Sequence, residues 1–322
     1  MTIHPTYDLQ SRARFSQLIF LFAVILIMAG VFSFLITPAL RMTSLSETKS
    51  LLVSQICSSL LVFWVPPLLL NTYYKARHLS PFFHPLASVR LPQVALGLAV
   101  ALLALVPSSL LEDLMRMIPE PEALAPLSAQ VERTTEMMIS DHSVGGITLA
   151  LIALVVVAPL AEEYLFRGVL QQWVLSVTRS GHTAVWVVAL LFSLIHMEWG
   201  GLLSRAFMGV LLGYAALYGG LRVSVPMHAL NNLLVYLLLL CGNSELWSPL
   251  PLGIVSVLIS IVCLIAIGVI LRYMSQKTKS EYHETINYIT CSLSTNSSTA
   301  RSHDLLQGSK AEYLPYPACG LS

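Results

Sequence analysis

The stretch Ala161–Gly168 places three charged side chains, Glu162, Glu163 and Arg167, at the end of the apolar run Leu149–Leu160. A charge near the middle of a bilayer costs about 2.5–3.5 kcal/mol on insertion scales, so such groups are expected to be paired, solvated or chemically active. In a helix, Glu163 and Arg167 are i,i+4 neighbours that can form an ion pair. Glu162 is rotated by about 100° from Glu163 and is expected to face other helices.

Two later apolar segments carry polar side chains at the same helical spacing. Phe192 and His196 are four residues apart at the end of one segment. His228 and Asn232 are four residues apart in the other, with Asn231 close to the same face. Because residues at this spacing share one side of a helix, both His228 and Asn232 can point into one cavity.

These residue types together could hydrolyse an acyl bond. A carboxylate and an imidazole on different helices can hold a water molecule between them, with the carboxylate as general base. A second histidine and an asparagine amide can donate hydrogen bonds to the oxyanion that forms when water attacks a carbonyl. An arginine can balance the second carboxylate, and a low-dielectric cavity strengthens each interaction. The set predicts a hydrolytic site between three helices.

Each residue also has a structural explanation when it is considered alone. A single histidine or an Asn pair can hydrogen-bond a neighbouring helix, and a Glu–Arg pair can be purely structural. Phe192 can be a packing residue, whereas His182 and Glu198 lie in loops or at interfaces and are expected to be solvated. The functional interpretation therefore rests on the combination of two Glu, one Arg, two His and one Asn over three helices.

The composition is that of a membrane protein with several spans. The 322 residues are 56% hydrophobic and 11% charged, with a mean hydropathy of +0.73, whereas soluble domains are about 25% charged. The net charge of +1 argues against a nucleic-acid surface. The five cysteines include no CxxC pair, which predicts neither a zinc site nor a disulfide framework, and Cys57, Cys241 and Cys263 are expected to pack in apolar runs.

The apolar runs predict an all-α polytopic membrane protein with about eight transmembrane helices and an active site in a bundle of helices 4, 5 and 7. Helix 6 carries Gly209 and Gly213, a small-xxx-small pattern that permits close helix approach. The eight predicted helices are Gln17–Thr37, Leu51–Leu70, Gln93–Leu111, Gly145–Arg167, Ala184–His196, Leu202–Tyr218, Val223–Cys241 and Leu252–Tyr273.

The predicted organisation has four parts. Residues 1–144 hold helices 1–3, a basic loop at Tyr73–Pro92 and an acidic segment at Glu112–Val144. Residues 145–241 form the core that carries the polar set, with Gln171–Thr183 as a connection that could be an interfacial helix. Residues 242–279 contain the last span, and residues 280–322 have the composition of a disordered cytoplasmic tail.

The distribution of Lys and Arg predicts that both termini are cytoplasmic. With eight spans and the N-terminus inside, eleven basic residues lie inside and five outside. The inside residues are Arg12, Arg14, Lys75, Arg77, Arg90, Arg167, Arg179, Arg222, Arg272, Lys277 and Lys279. The outside residues are Arg41, Lys49, Arg116, Arg133 and Arg205. The charged end of helix 4 then lies toward the cytoplasm.

At these residues the chain resembles the CAAX-protease and bacteriocin-processing (CPBP, or ABI) family of intramembrane proteases. The family pattern is EExxxR, then FxxxH, then HxxxN or a close variant, and it covers residues 145–240 here. The matching residues are Glu162-Glu163-Tyr-Leu-Phe-Arg167, Phe192-Ser-Leu-Ile-His196 and His228-Ala-Leu-Asn231-Asn232. The resemblance implies a membrane-embedded endopeptidase, expected in a bacterial inner membrane, that cleaves peptide or membrane-protein substrates.

The resemblance also implies a role for each residue. Glu162 would activate the hydrolytic water with help from His196, and His228 and Asn232 would form the oxyanion hole. Glu163, Arg167 and Phe192 would support the site. Family members have been called metalloproteases, but we expect a metal-free, glutamate-dependent reaction, since the chain has no HExxH motif. If a divalent metal such as zinc were bound, its ligands would be Glu162, Glu163, His196 and His228.

Two other functions compete with proteolysis. A non-catalytic immunity or scaffold protein could use the same cavity to hold a peptide, although a pure scaffold would tolerate replacement of Glu162 or His196. A transporter could use an intramembrane carboxylate as a proton relay, but the sequence shows neither an inverted repeat nor paired broken helices. The prediction is therefore an intramembrane peptidase whose partners are its substrate and the bilayer.

Overall fold

The computed structural model describes residues 5–76, 91–240 and 253–297, and the regular elements within these ranges are all helices. Seven of the described helices are long and apolar enough to cross a membrane, which confirms the predicted all-α polytopic membrane protein. These spans are Ser16–Leu40, Glu47–Tyr73, Leu91–Arg116, Val144–Thr178, Leu202–Gly219, Leu221–Leu240 and Ile254–Thr278.

We number the continuous helical rods of these ranges α1 to α9. Six rods are regular: α3 (Leu91–Arg116), α4 (Ala125–Ile139), α6 (Gly181–Leu194), α7 (Leu202–Gly219), α8 (Leu221–Leu240) and α9 (Ile254–Ser297). The other three contain wider, π-helical turns. Rod α1 consists of Pro5–Val31, Phe32–Ile36 and Thr37–Arg41, and α2 of Glu47–Ser58, Ser59–Trp64 and Val65–Ala76. Rod α5 consists of Val144–Ala150, Leu151–Val157, Ala158–Glu163, Tyr164–Leu170 and Gln171–Thr178.

The helix predicted at Ala184–His196 is shorter than a full span. It corresponds to α6, which begins after the N-cap Ser180 and has 14 residues. At 1.5 Å per residue, α6 is about 21 Å long, whereas the hydrocarbon core is about 30 Å thick. The described residues therefore contain seven long spans and one short apolar helix rather than eight full spans.

The predicted helix 4 and the predicted connection after it form one continuous helix, α5. No proline occurs between Pro159 and the helix end, so nothing removes a backbone donor and stops the helix. The rod ends at Arg179, which adopts a left-handed conformation with φ of 56°. The connection between α5 and α6 is consequently reduced to a tight turn.

The predicted acidic segment Glu112–Val144 contains the helix α4, which the sequence pattern did not predict because polar residues interrupt its apolar ones and leave no long apolar run. The segment holds the loop that follows α6. The Trp199 backbone N–H donates to Ser128 Oγ at 3.0 Å, and Trp199 Nε1 donates to the Ile118 carbonyl at 3.1 Å. These bonds fix the chain next to His196.

The close helix approach predicted at Gly209 and Gly213 is confirmed between α6 and α7. A Cβ added at Gly209 would lie 3.0 Å from Ala189 Cα, and one added at Gly213 would lie 2.9 Å from Val185 Cγ1. Because backbone and short side chains meet here, neither helix can accept a larger residue without moving apart. The contact also brings the α7 carbonyl groups within reach of α5.

Replacing Gly209 with valine is expected to destabilise the protein by about 1–3 kcal/mol, because the added atoms overpack the α6–α7 contact. The matched control is Gly268→Val on α9, where an added Cβ meets nothing within 4 Å. The thermal unfolding midpoint in detergent measures the stability of both variants. Equal midpoints for the two variants would contradict the close packing.

The last helix passes the predicted start of the tail. Rod α9 runs from Ile254 to Ser297, so the boundary predicted at residue 280 falls inside a helix. Polar residues can continue a helix that is already formed, because propagation is easier than nucleation. Residues 298–322 of the predicted tail lie outside the described residues, as do the loop residues 77–90 and Cys241.

Candidate functional site

The predicted ion pair between Glu163 and Arg167 is confirmed and is fully buried. Arg167 Nη1 donates to Glu163 Oε1 at 2.7 Å, and both side chains are 0% exposed. Arg167 Nη2 also donates to the Gly209 carbonyl at 3.1 Å, which ties α5 to α7. The guanidinium carbon lies 4.6 Å from the Phe192 ring centroid, a cation–π distance.

Glu163 also contacts His228. His228 Nδ1 lies 3.0 Å from Glu163 Oε1, the oxygen that also accepts from Arg167. The other imidazole nitrogen, His228 Nε2, lies 3.8 Å from Glu162 Oε2. Glu162 therefore faces another helix, as predicted, and this helix, α8, is also the one that Glu163 contacts. The imidazole lies between two carboxylates of one helix, one paired with arginine and the other open to a cavity.

The cavity has a volume of about 330 Å³ and lies among helices α3 to α8. Its lining includes every residue predicted to act directly on a substrate: Glu162, His196, His228 and Asn232, together with Asn231 and Phe192. The supporting pair, Glu163 and Arg167, lies behind this lining. Glu162, His196 and His228 belong to predicted helices 4, 5 and 7. In the structure His196 lies in the turn after α6.

Asn232 is oriented by a hydrogen bond to the Leu154 carbonyl, which lacks a backbone donor because of Pro159. In the π-helical turn before Ala158, the Ala158 N–H donates to the Ala153 carbonyl, five residues back. The next residue is Pro159, which has no N–H for the Leu154 carbonyl. Asn232 Nδ2 donates to that carbonyl at 2.9 Å. The second N–H of the same amide stays available for another acceptor.

Asn231 forms a hydrogen bond to the amide oxygen of Asn232. Its Nδ2 lies 3.4 Å from Asn232 Oδ1 and donates to it. The Asn232 amide therefore has its oxygen and one of its protons held within the protein. The structural explanation predicted for the Asn pair is interhelical hydrogen bonding, and the contact of Asn232 with α5 is of that kind.

His196 lies on the turn just after α6 and is held by its own helix. Its Nδ1 is 2.7 Å from the Phe192 carbonyl, so Nδ1 carries the proton and Nε2 of the neutral ring is an acceptor. Burial, and to a smaller extent the positive charge of Arg205, lower the pKa of His196 from 6.5 to about 4. Phe192 packs against both histidines, with centroid distances of 4.8 Å to His196 and 5.7 Å to His228.

His196 is expected to remain neutral down to about pH 4. Because the folded pKa lies below 6.5, the unfolded chain binds more protons between pH 6.5 and 4. This histidine's contribution to stability is therefore complete above pH 6.5 and declines below it. A ¹⁵N-histidine NMR titration, with His196→Gln to assign the signal, measures the midpoint. A midpoint near 6.5 would contradict the burial of this ring.

Several lining residues were not predicted. Arg205 on α7 forms an ion pair with Glu198, so Glu198 is paired rather than simply solvated as expected. From α3, Ser108 and Glu112 also line the cavity, and Glu112 lies 3.5 Å from Arg116. The available signal was the charge of Arg205 next to an apolar run, but only packing shows which cavity it faces.

The proposed metal ligands do not form a compact donor set. Among the residues that the structure describes, no three His, Cys, Asp or Glu side chains come together closely enough to hold a metal ion. Glu163 Oε1 is already used by Arg167 and His228. The arrangement therefore does not fit the four-ligand zinc site considered from the sequence.

The fold and the cavity define a helical membrane protein in which one carboxylate and two imidazoles face an internal space. Residues 145–234 match the family described as type II CAAX prenyl endopeptidase Rce1-like, and the match spans Glu162, His196 and Asn232. The predicted relationship to the CPBP, or CAAX-protease, family is thereby confirmed. The family supports an intramembrane endopeptidase of CAAX type in general. No curated protein and no solved structure matches the chain.

Proposed function

We propose that this protein hydrolyses peptide bonds in the membrane with a water molecule activated by Glu162. The observation that carries the proposal is the placement of Glu162 Oε2 and His228 Nε2 3.8 Å apart at the wall of the internal cavity. A carboxylate in this position can accept a proton from a water molecule bound beside it. The substrate carbonyl would enter the cavity from the lipid or the membrane surface.

The reaction proceeds in two steps that use one proton of the water. In the first, the water oxygen forms a bond to the carbonyl carbon while its proton passes to Glu162. In the second, the carbon–nitrogen bond of the tetrahedral intermediate breaks, and Glu162 returns the proton to the leaving amine. The products are a carboxylic acid and an amine, and Glu162 is again a carboxylate.

His196 positions the water. Its Nδ1–H is used by the Phe192 carbonyl, which leaves Nε2 as a hydrogen-bond acceptor facing the cavity. A pKa of about 4 keeps this nitrogen unprotonated at neutral pH. An acceptor on one side of the water and the Glu162 carboxylate on the other direct its lone pair toward the carbonyl carbon.

The oxyanion receives hydrogen bonds from His228 and Asn232. The second N–H of Asn232 Nδ2 is available because the first is bound to the Leu154 carbonyl. His228 Nδ1 donates to Glu163, so Nε2 of the neutral ring would be an acceptor. The oxyanion role of His228 therefore requires a proton on both ring nitrogens.

We propose that the reaction is metal-free. The proposal is supported by the placement of the candidate ligands, since no three His, Cys, Asp or Glu side chains among the described residues come close enough together to hold a metal ion. The Glu163–Arg167 pair keeps His228 in place, because the Glu163 oxygen that accepts from Arg167 also accepts from His228. Glu163, Arg167 and Phe192 thus support the site without contacting the substrate.

We further propose a bacterial inner membrane as the location, with both termini in the cytoplasm. The excess of basic residues at the predicted inner ends of the helices supports this orientation. The substrate is a peptide or a membrane-associated protein segment, and nucleic acid is not a partner.

Cleavage of a proteome-derived peptide library by the purified protein in detergent, with and without a chelator, tests the proposal. We expect chelator-resistant cleavage. Loss of activity with chelator, restored by zinc, would replace the metal-free mechanism with a metal-dependent one. If correctly folded protein cleaved no peptide but retained particular ones, the non-catalytic immunity or scaffold function would be favoured instead.

A further inference from the structure

A second cavity lies among α6, α7 and α9, and its lining is basic and rich in hydrogen-bond donors. Its volume is about 460 Å³. The polar lining residues are His182, Tyr214, Tyr218, Arg272, Ser275 and Gln276. None of these residues belongs to the catalytic proposal, and all lie near the ends of their helices or spans. We refer to this cavity as the α6–α9 groove.

The groove lies at the depth where hydrocarbon gives way to lipid headgroups. Ile254 and Arg272 are 18 positions apart in α9, which corresponds to about 27 Å along the helix axis. The hydrocarbon core is about 30 Å thick. His182 lies in the first turn of α6 and Tyr218 in the last turn of α7, so three helices present polar side chains at one level.

The charges around the groove favour an anion. No Asp or Glu occurs in residues 164–197, 199–244 or 246–280, which include all of α6, α7 and α8 and the whole span of α9. The nearest acidic residue farther along α9 is Glu281, nine positions beyond Arg272 and about 13 Å away along the axis. Among the side chains that the structure describes, Arg272 has no ion-pair partner.

The tyrosines and the histidine form a prearranged wall beside this arginine. His182 Nδ1 lies 2.7 Å from the Tyr214 hydroxyl, and the rings of Tyr214 and Tyr218 stack with centroids 5.9 Å apart. Arg272 is exposed and can extend along this wall. An arginine fork with nearby hydroxyl and amide donors is suited to the oxygens of a phosphate group.

We propose that the α6–α9 groove binds a phosphate group, and that its source is the headgroup of a membrane phospholipid. Basic pockets between membrane helices at this depth bind anionic headgroups. Free inorganic phosphate has the same chemistry and is the alternative source. Lipid bound here would bridge α7 and α9 beside the first turn of α6.

Native mass spectrometry of the full chain in detergent with added phosphatidylglycerol tests this proposal. We expect Arg272→Gln to reduce lipid retention about fivefold or more, the effect of one basic residue at a membrane surface. The matched control is Lys277→Gln, which removes the same charge from the same helix outside the groove lining and should retain lipid like the wild type. Diacylglycerol, which lacks phosphate, should be retained neither by the wild type nor by the two variants.

Added inorganic phosphate distinguishes the two sources. Displacement of phosphatidylglycerol at millimolar phosphate would assign the groove to free phosphate, and persistence of the lipid would assign it to the headgroup. If Arg272→Gln does not fold, Tyr218→Phe with an unchanged melting temperature should still lower retention. Equal retention by wild type, the groove variant and Lys277→Gln would overturn the proposal.

Discussion

Replacing Glu162 with glutamine is expected to lower the rate of peptide cleavage about 10²–10⁴-fold while leaving the protein folded. Glutamine keeps the size and hydrogen-bonding capacity of the side chain but cannot accept the proton of the water, and this range is the usual contribution of a general base. The change should appear in kcat, because the substrate still fits the cavity. Steady-state cleavage of a peptide selected from the library measures it.

The matched control is Glu112→Gln, which makes the same chemical change in the same cavity. Glu112 is on α3 and lies 3.5 Å from Arg116, not next to His228. We expect this variant to lose less than about tenfold in rate, since it removes no proton acceptor from the reaction. Wild-type turnover by Glu162→Gln, or equal losses in both variants, would exclude Glu162 as the base.

Replacing Arg167 with alanine is expected to destabilise the protein by about 3–5 kcal/mol, because it leaves the Glu163 charge buried and unpaired. The substitution also removes the bond to the Gly209 carbonyl and the contact with the Phe192 ring. We expect poor expression, a much lower thermal midpoint and loss of cleavage. Thermal unfolding in detergent and the cleavage assay measure these effects.

Arg116→Ala is a matched control, because Glu112 and Arg116 form an i,i+4 pair of the same residue types. The Arg116 side chain is 69% exposed, and exposed pairs contribute about 0–1 kcal/mol. A small destabilisation in Arg116→Ala and a large one in Arg167→Ala would show that burial causes the difference. Similar thermal midpoints for Arg167→Ala and the wild type would show that Glu163 does not depend on the pair.

The double variant Glu163→Gln with Arg167→Met separates stability from positioning. Removing both charges avoids the unpaired buried carboxylate and should recover much of the stability lost in Arg167→Ala. Cleavage should stay low, because His228 loses the carboxylate that accepts from its Nδ1. Recovery of both stability and cleavage would show that the Glu163–Arg167 pair has only a structural role.

The residue types and the local contacts of the site could be predicted from sequence because a helix determines them. Spacing of four residues places Glu163 beside Arg167, and His228 on the same helix face as Asn232. Gly209 and Gly213 likewise mark a face with no side chain in the way. The apolar runs located the seven long spans of the described residues, since chain length and hydropathy decide whether a helix can span a bilayer, but they also counted the short helix α6 as an eighth span.

Contacts between helices depended on the tertiary structure. The bond between Asn232 and the Leu154 carbonyl joins residues 78 positions apart, and the contact of His228 with Glu163 joins residues 65 apart. No sequence spacing predicts which helix lies opposite, and Arg205 could be assigned to the cavity only once α7 was placed. The sequence by itself determined which polar groups must be satisfied in an apolar setting, because their cost depends on residue type. Only the packing of distant helices decided which groups satisfy them, because that choice depends on distances that the chain acquires when it folds.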